Sequence, residues 1–113
     1  MKGIICTKHS IMRLKERVGI GKKQANKFVN KIAHKGIHCR ELDGWIRRFA
    51  DKIRLKYDKE TYLYLYGNAF YILKKRVLIT VLIVPDIIYN DYKHNKLKED
   101  SNEKMDVTSN ETL

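Results

Sequence analysis

The feature that most limits what this 113-residue chain can fold into is a change of hydrophobic period near residue 53. Before it, apolar residues recur every third or fourth position, the spacing of one helix face; after it they alternate, the spacing of one strand face. Ile11, Leu14 and Val18 make a first stripe with Met12 beside it, and Ala25, Phe28, Val29, Ile32 and Ala33 a second. Leu42, Trp45, Ile46, Phe49 and Ile53 make a third, which places Trp45, Phe49 and Phe28 in the core. Thr7 or Ser10 is placed to cap the first helix, Gly19 to end it, and Gly36 to end the second. Gly44 weakens the third by ~1 kcal/mol relative to alanine. Then IRLKY (53–57), YLYLYG (62–67) and AFYIL (69–73) alternate, and VLITVLIV (77–84) is the most buried run, closed by Pro85.

Gly67-Asn68 and Lys74-Lys75-Arg76 are short turns, so the strands should form an antiparallel meander. The expected class is α+β, with two or three N-terminal helices packed on one face of a three- to four-stranded antiparallel meander. With 43% hydrophobic residues the chain can bury one modest core. One basic domain over 1–89 and an acidic, disordered tail over 90–113 follow, the tail being polar and poor in large apolar groups, although DIIYNDYKHNKL after Pro85 could extend as a short helix or strand. No run approaches the ~18–20 apolar residues of a membrane span, and the start lacks the pattern of a signal peptide. A cytoplasmic location without membrane contact is expected, with Cys6 and Cys39 as free thiols.

Charge is unevenly distributed. Residues 1–85 hold 20 Lys and Arg against six Asp and Glu, and residues 86–113 hold four against seven. So basic a domain attracts polyanions, because cations that neutralise phosphates release condensed counterions. RNA or DNA is therefore the expected partner class, although the same charge also serves plain solubility. The tail, opposite in sign, could act as an intramolecular lid or only as a solubilising terminus.

Two groups of residues could carry such binding. His9, Arg13 and Arg17 are four apart, so a helix aligns them. Tyr62, Tyr64 and Tyr66 alternate with Leu63 and Leu65, which puts the rings on one strand face. With Tyr71 and the cations Lys74, Lys75 and Arg76, the row Tyr64–Tyr66 forms a candidate stacking platform for unpaired bases. Tyrosine also suits any half-wet strand, so the pattern has an ordinary structural reading too.

HSIMRLKERVGI, the A-x2-FV-x2-IA-x2-G helix, YLYGNAFYIL and VLITVLIVP together resemble the RelE-like and barnase-like small α+β ribonuclease-toxin group, over about residues 7–85. Within it they resemble most the little-characterised bacterial and phage families whose first helix carries His-x3-Arg-x3-Arg. The resemblance implies a phage or mobile-element origin and metal-independent RNA cleavage, with a basic cleft across the sheet. The group also includes gyrase inhibitors and proteins without assigned activity, and a fold alone does not license a reaction. If the chain cleaves RNA, His9 is the candidate acid or base and Arg13 and Arg17 the phosphate forks, with Glu16 a second proton carrier or a surface ion-pair partner. The alternative is a non-enzymatic interaction protein that blocks a host nucleic-acid or defence machine.

Cys6 and His9, with His34, His38 and Cys39, have spacings that superficially suit zinc. Both segments are already explained by the helical pattern, so neither metal nor cofactor is expected. No phosphate-binding glycine loop, nucleophile elbow or paired-carboxylate motif supports nucleotide hydrolysis or acyl transfer.

Overall fold

A computed structural model describes residues 3–96. Strand β1 (Ile5–Cys6) leads into helices α1 (Lys8–Val18) and α2 (Lys22–Lys35), followed by β2 (Ile37–His38) and a 3-10 turn over Cys39–Glu41. Helix α3 (Gly44–Tyr57) precedes β3 (Thr61–Tyr66), β4 (Ala69–Lys74) and β5 (Val77–Ile83). A fourth helix, α4, occupies residues 86–96. The strands form one sheet of order β1-β5-β4-β3-β2, with β1 parallel to β5 and the other neighbours antiparallel.

The class is α+β as expected, but the layering differs. Because β1 and β2 lie at opposite edges, the α1–α2 hairpin that joins them must cross a face of the sheet, with α1 on β5 and α2 on β3. Leu14, Ala25, Val29 and Ile32 pack there against Tyr71, Leu73 and Leu78. Ile46, Ala50 and Ile53 of α3 and Ile88 of α4 pack with Leu63, Leu65, Phe70 and Ile72. Since the side chains of β3 and β4 alternate between these clusters, the second pair of helices covers the opposite face. The sheet is the middle of three layers, and all but the last residue of β4 is buried. Helices on one face of a meander is thus corrected to helices on both faces of a mixed five-stranded sheet. The two-residue strands β1 and β2 are too short to show a period.

Local chemistry explains the ends of the elements. Thr7 caps α1, its Oγ accepting from the Ser10 N–H at 3.0 Å, and Gly19 ends it in the left-handed region at φ 81°. Gly36 ends α2 in extended backbone instead; it is needed there for space, since a Cβ would lie 2.7 Å from the Ile32 carbonyl oxygen and 3.2 Å from Tyr64 Cβ. Asn30 of α2 ties down the first strand, its Oδ1 accepting from the Ile4 N–H at 2.9 Å.

Two other expectations are corrected. IRLKY is the end of α3, not a strand: Ile53 continues the stripe of Ile46 and Ala50, while Leu55 and Tyr57 are 87% and 43% exposed. Trp45 is an exposed residue of the first turn of α3, so it is not part of the core. Of the two forms open to the segment after Pro85 the chain takes the helix, α4, which runs through residue 90 and whose Tyr92 packs on the core. The rest of the acidic tail, 97–113, lies outside the described residues. Among the described residues no helix is long and apolar enough to cross a membrane.

Candidate nucleic-acid interface

The first-helix row divides into three different environments. His9 is exposed in the first turn of α1. Arg13 pairs with Glu16 at 2.8 Å on the helix surface. Arg17 donates from Nη1 to the Val81 carbonyl of β5 at 2.6 Å. Because β1 pairs with only Val77 and Leu78, the rest of β5 has an open edge, and Arg17 satisfies one of its carbonyls. Arg17 is thereby a clamp between helix and sheet, with part of its fork already engaged. Arg17→Ala should lower the free energy of unfolding by roughly 1–2 kcal/mol, as for a charge-assisted hydrogen bond. Arg13→Ala, which loses only a surface pair, should cost at most ~1 kcal/mol. Chemical denaturation of both variants checks the ordering.

The tyrosines also separate. Tyr71 is 1% exposed beneath α2, its ring edge-on to Phe28 at 5.9 Å, so it cannot stack on a ligand. Tyr66 is half-buried under the same Phe28, at 6.0 Å. The alternation was read correctly, but the face it defines is the one α2 crosses. Past the end of α2, Tyr62 and Tyr64 are partly buried like Tyr66, and His38 of the edge strand joins them through the pairing of His38 with Tyr64. The imidazole lies parallel to the Tyr62 ring (centroids 5.7 Å apart, planes 4° apart) and edge-on to Tyr64 at 5.3 Å.

Cations ring this aromatic group. Arg40, Arg54 and Lys59 line the same concavity of about 430 Å³ as His38, Tyr62 and Tyr64, together with Glu60 and Thr61. Arg54 is fixed by the loop it faces, donating from Nε to the Thr61 carbonyl at 2.9 Å and from Nη2 to the Lys59 carbonyl at 3.4 Å. Arg47 holds the 3-10 turn, donating from Nη1 to the carbonyls of Arg40 and Leu42, both at 3.1 Å. Of the turn cations, Lys74 is paired with Asp58 at 2.6 Å. Lys75 sits at φ 57° with its carbonyl accepting from the Tyr62 hydroxyl, and exposed Arg76 accepts at its carbonyl from the Ile5 N–H. The β4–β5 turn is therefore attached to the aromatic group through Tyr62.

The pKa of His38 is lowered from its ordinary value. Burial lowers its pKa most, Arg40 adds to this, Glu41 opposes it, and Arg54 and Arg47 lower it further. Its Nδ1 accepts from the Arg40 N–H at 3.2 Å, which puts the proton of the neutral ring on Nε2. His38 lines the concavity with a ring that carries one N–H donor, on Nε2, beside the rings of Tyr62 and Tyr64. That is equipment for binding an acceptor-rich, planar ligand; with Nδ1 occupied, the ring is not set up to take a proton.

The structure does not unite the two expected groups: Arg17 is bonded to β5 and Tyr64 stands on β3, two strands away. Nor do Cys6, His9, His34, His38 and Cys39 converge, since no three metal-ligand side chains cluster among the described residues. What sequence reasoning missed is His38 with Arg40, Arg47 and Arg54. One signal was present: Arg47 and Arg54 are seven apart, two turns on the same side of a helix. Compared with known protein families, curated proteins and solved structures, the chain matches none of them.

Proposed function

We propose that the chain is a small basic cytoplasmic protein that binds nucleic acid, engaging unpaired bases at the open β2–β3 edge. The observation that carries this reading is the His38–Tyr62–Tyr64 group within a ring of Arg40, Arg54 and Lys59. Base stacking on aromatic rings beside cations that take the backbone is the general solution for single strands, and it tolerates sequence variation because every base has a π face. The resemblance to the RelE-like group, with its phage or mobile-element setting, agrees with such a ligand and adds RNA cleavage as a second reading. Exposed His9 is the histidine that supports cleavage, because His38 has its acceptor nitrogen occupied.

One experiment separates these readings. Purified protein is mixed with a labelled unstructured RNA in chelator, and both affinity and integrity of the RNA are followed across a salt series. Tight binding that weakens steeply with salt, with the RNA left intact, is the expected outcome. Cleavage that His9→Ala abolishes would establish the ribonuclease instead. Absence of affinity for RNA and DNA at moderate salt would remove the nucleic-acid reading and leave an interaction protein aimed at a host machine.

A further inference from the structure

Helix α2 is not used by the pocket, yet it is the most one-signed element of the fold. Its 14 residues, KKQANKFVNKIAHK, contain five lysines and no carboxylate. Lys23, Lys27, Lys31 and Lys35 recur every fourth residue and all are exposed. Among the described residues none of them has an ion-pair partner. Like charges at this spacing destabilise a helix, and Lys22 and Lys23 in the first turn oppose its dipole. Lys35 in the last turn suits the dipole, but among the described residues no carboxylate is paired with the row, and a polyanion would relieve its repulsion.

The row also has a direction. At 1.5 Å rise per residue, successive lysines step by ~6 Å, and Lys27 to Lys35 covers ~12 Å. Those three line a concavity of about 490 Å³ with Ile20, Gln24 and Phe28. The end of α2 abuts the aromatic group, with the Gly36 position against Tyr64 Cβ. Three steps of the chain, at most ~11 Å, then lead from Lys35 to His38. A regular row of point charges, indifferent to bases, thus runs into a pocket suited to unpaired ones.

We propose that the ligand is an RNA stem–loop, with one strand of the stem laid along Lys27, Lys31 and Lys35 and loop bases at His38 and Tyr64. This rests on the reading of the His38 pocket as a site for unpaired bases. Lysines are suited to the stem because duplex RNA is held by its backbone and shape, whereas unpaired loops are read by stacking. RNA is the chemistry chosen because recognition of RNA combines stacking on unpaired loop bases with backbone and shape contacts to the A-form stem beside them.

The test compares a labelled RNA stem–loop, an unstructured RNA of equal length and the DNA version of the stem–loop. Each is titrated by anisotropy with the wild type and with the triple variant Lys27→Gln, Lys31→Gln, Lys35→Gln. The wild type should prefer the RNA stem–loop by roughly tenfold, and the variant should lose that preference, its salt slope shrinking by about 0.9 per phosphate released. Unstructured RNA should bind both proteins within about threefold of each other, because its contacts are with the pocket. Equal affinity of the wild type for stem–loop and unstructured RNA, or an equal loss of both in the variant, would overturn the proposal. A DNA stem–loop bound as tightly as RNA would overturn the assignment to RNA. Failure of the pocket reading looks different: Tyr64→Ala then leaves the affinity for all three unchanged, and both proposals fall together.

Discussion

Tyr71→Ala is expected to lower the free energy of unfolding by about 3–5 kcal/mol, the range for truncating a buried aromatic. Tyr71 is 1% exposed in the middle layer of the fold, under Phe28 and among Leu14, Val29 and Leu78. Helices on both faces leave little freedom for the surroundings to collapse into the space vacated. Domains of this size are stable by only ~5–15 kcal/mol, so the variant should be marginal or partly unfolded at 37 °C. Equilibrium denaturation measures this directly. A loss below about 1 kcal/mol would mean that α2 does not cover the strand as described. Where the variant remains folded, its affinity for unpaired RNA should match that of the wild type, because the ring has no surface to offer a base.

The contrast between Tyr71 and Tyr64 shows what a period-2 pattern can and cannot reveal. Alternation correctly put Tyr62, Tyr64 and Tyr66 on one face of β3, and the pairing of Tyr64 with Tyr71 places the fourth ring on that face too. Whether the face is wet depends on what crosses it. That was settled by β1 and β2, two-residue strands whose pairing at opposite edges drags α1 and α2 over the tyrosines. Strands so short carry no periodic signal, which is why five strands in a mixed sheet were not expected from the sequence. Long periodic segments fared better. Helices α1 and α2, the capping by Thr7 and Gly19, and strands β3, β4 and β5 follow directly from residue spacing. IRLKY misled because five residues fit both periods, and only the neighbouring Ile46 and Ala50 decide for a helix.

The candidate site was less legible for a different reason. Spacing on one helix identifies residues that share a side, as with His9, Arg13 and Arg17, but not what that side meets. One of the three clamps the open edge of β5. The His38 group is assembled from an edge strand, a 3-10 turn, α3 and β3, elements far apart in the chain. Only its arginine spacing within α3 was local enough to be read.

Tyr64→Ala should weaken binding of an unpaired RNA by about tenfold or more, since stacking of one base is worth ~1–3 kcal/mol and 1.4 kcal/mol is tenfold. Only partly buried, Tyr64 should cost less stability than Tyr71. Anisotropy titration and denaturation of the same two variants should therefore cross over: Tyr71→Ala loses folding and Tyr64→Ala loses binding. Loss of stability without loss of affinity at Tyr64 would sink the site. His38 adds a pH dependence to the same measurement. Its folded pKa lies below the ordinary 6.5, so the unfolded chain takes up the proton first. The contribution of His38 to stability is present above 6.5 and is lost as pH falls through the lowered folded value. Protonation also removes the Nδ1 lone pair that accepts from the Arg40 N–H, loosening the turn that positions Arg40. An RNA phosphate near Arg40 and Arg54 would favour the charged ring and raise that pKa again. Bound RNA should therefore reduce the loss of stability between pH 7.5 and 5.5 in the wild type, and His38→Gln should remove both the loss and its rescue.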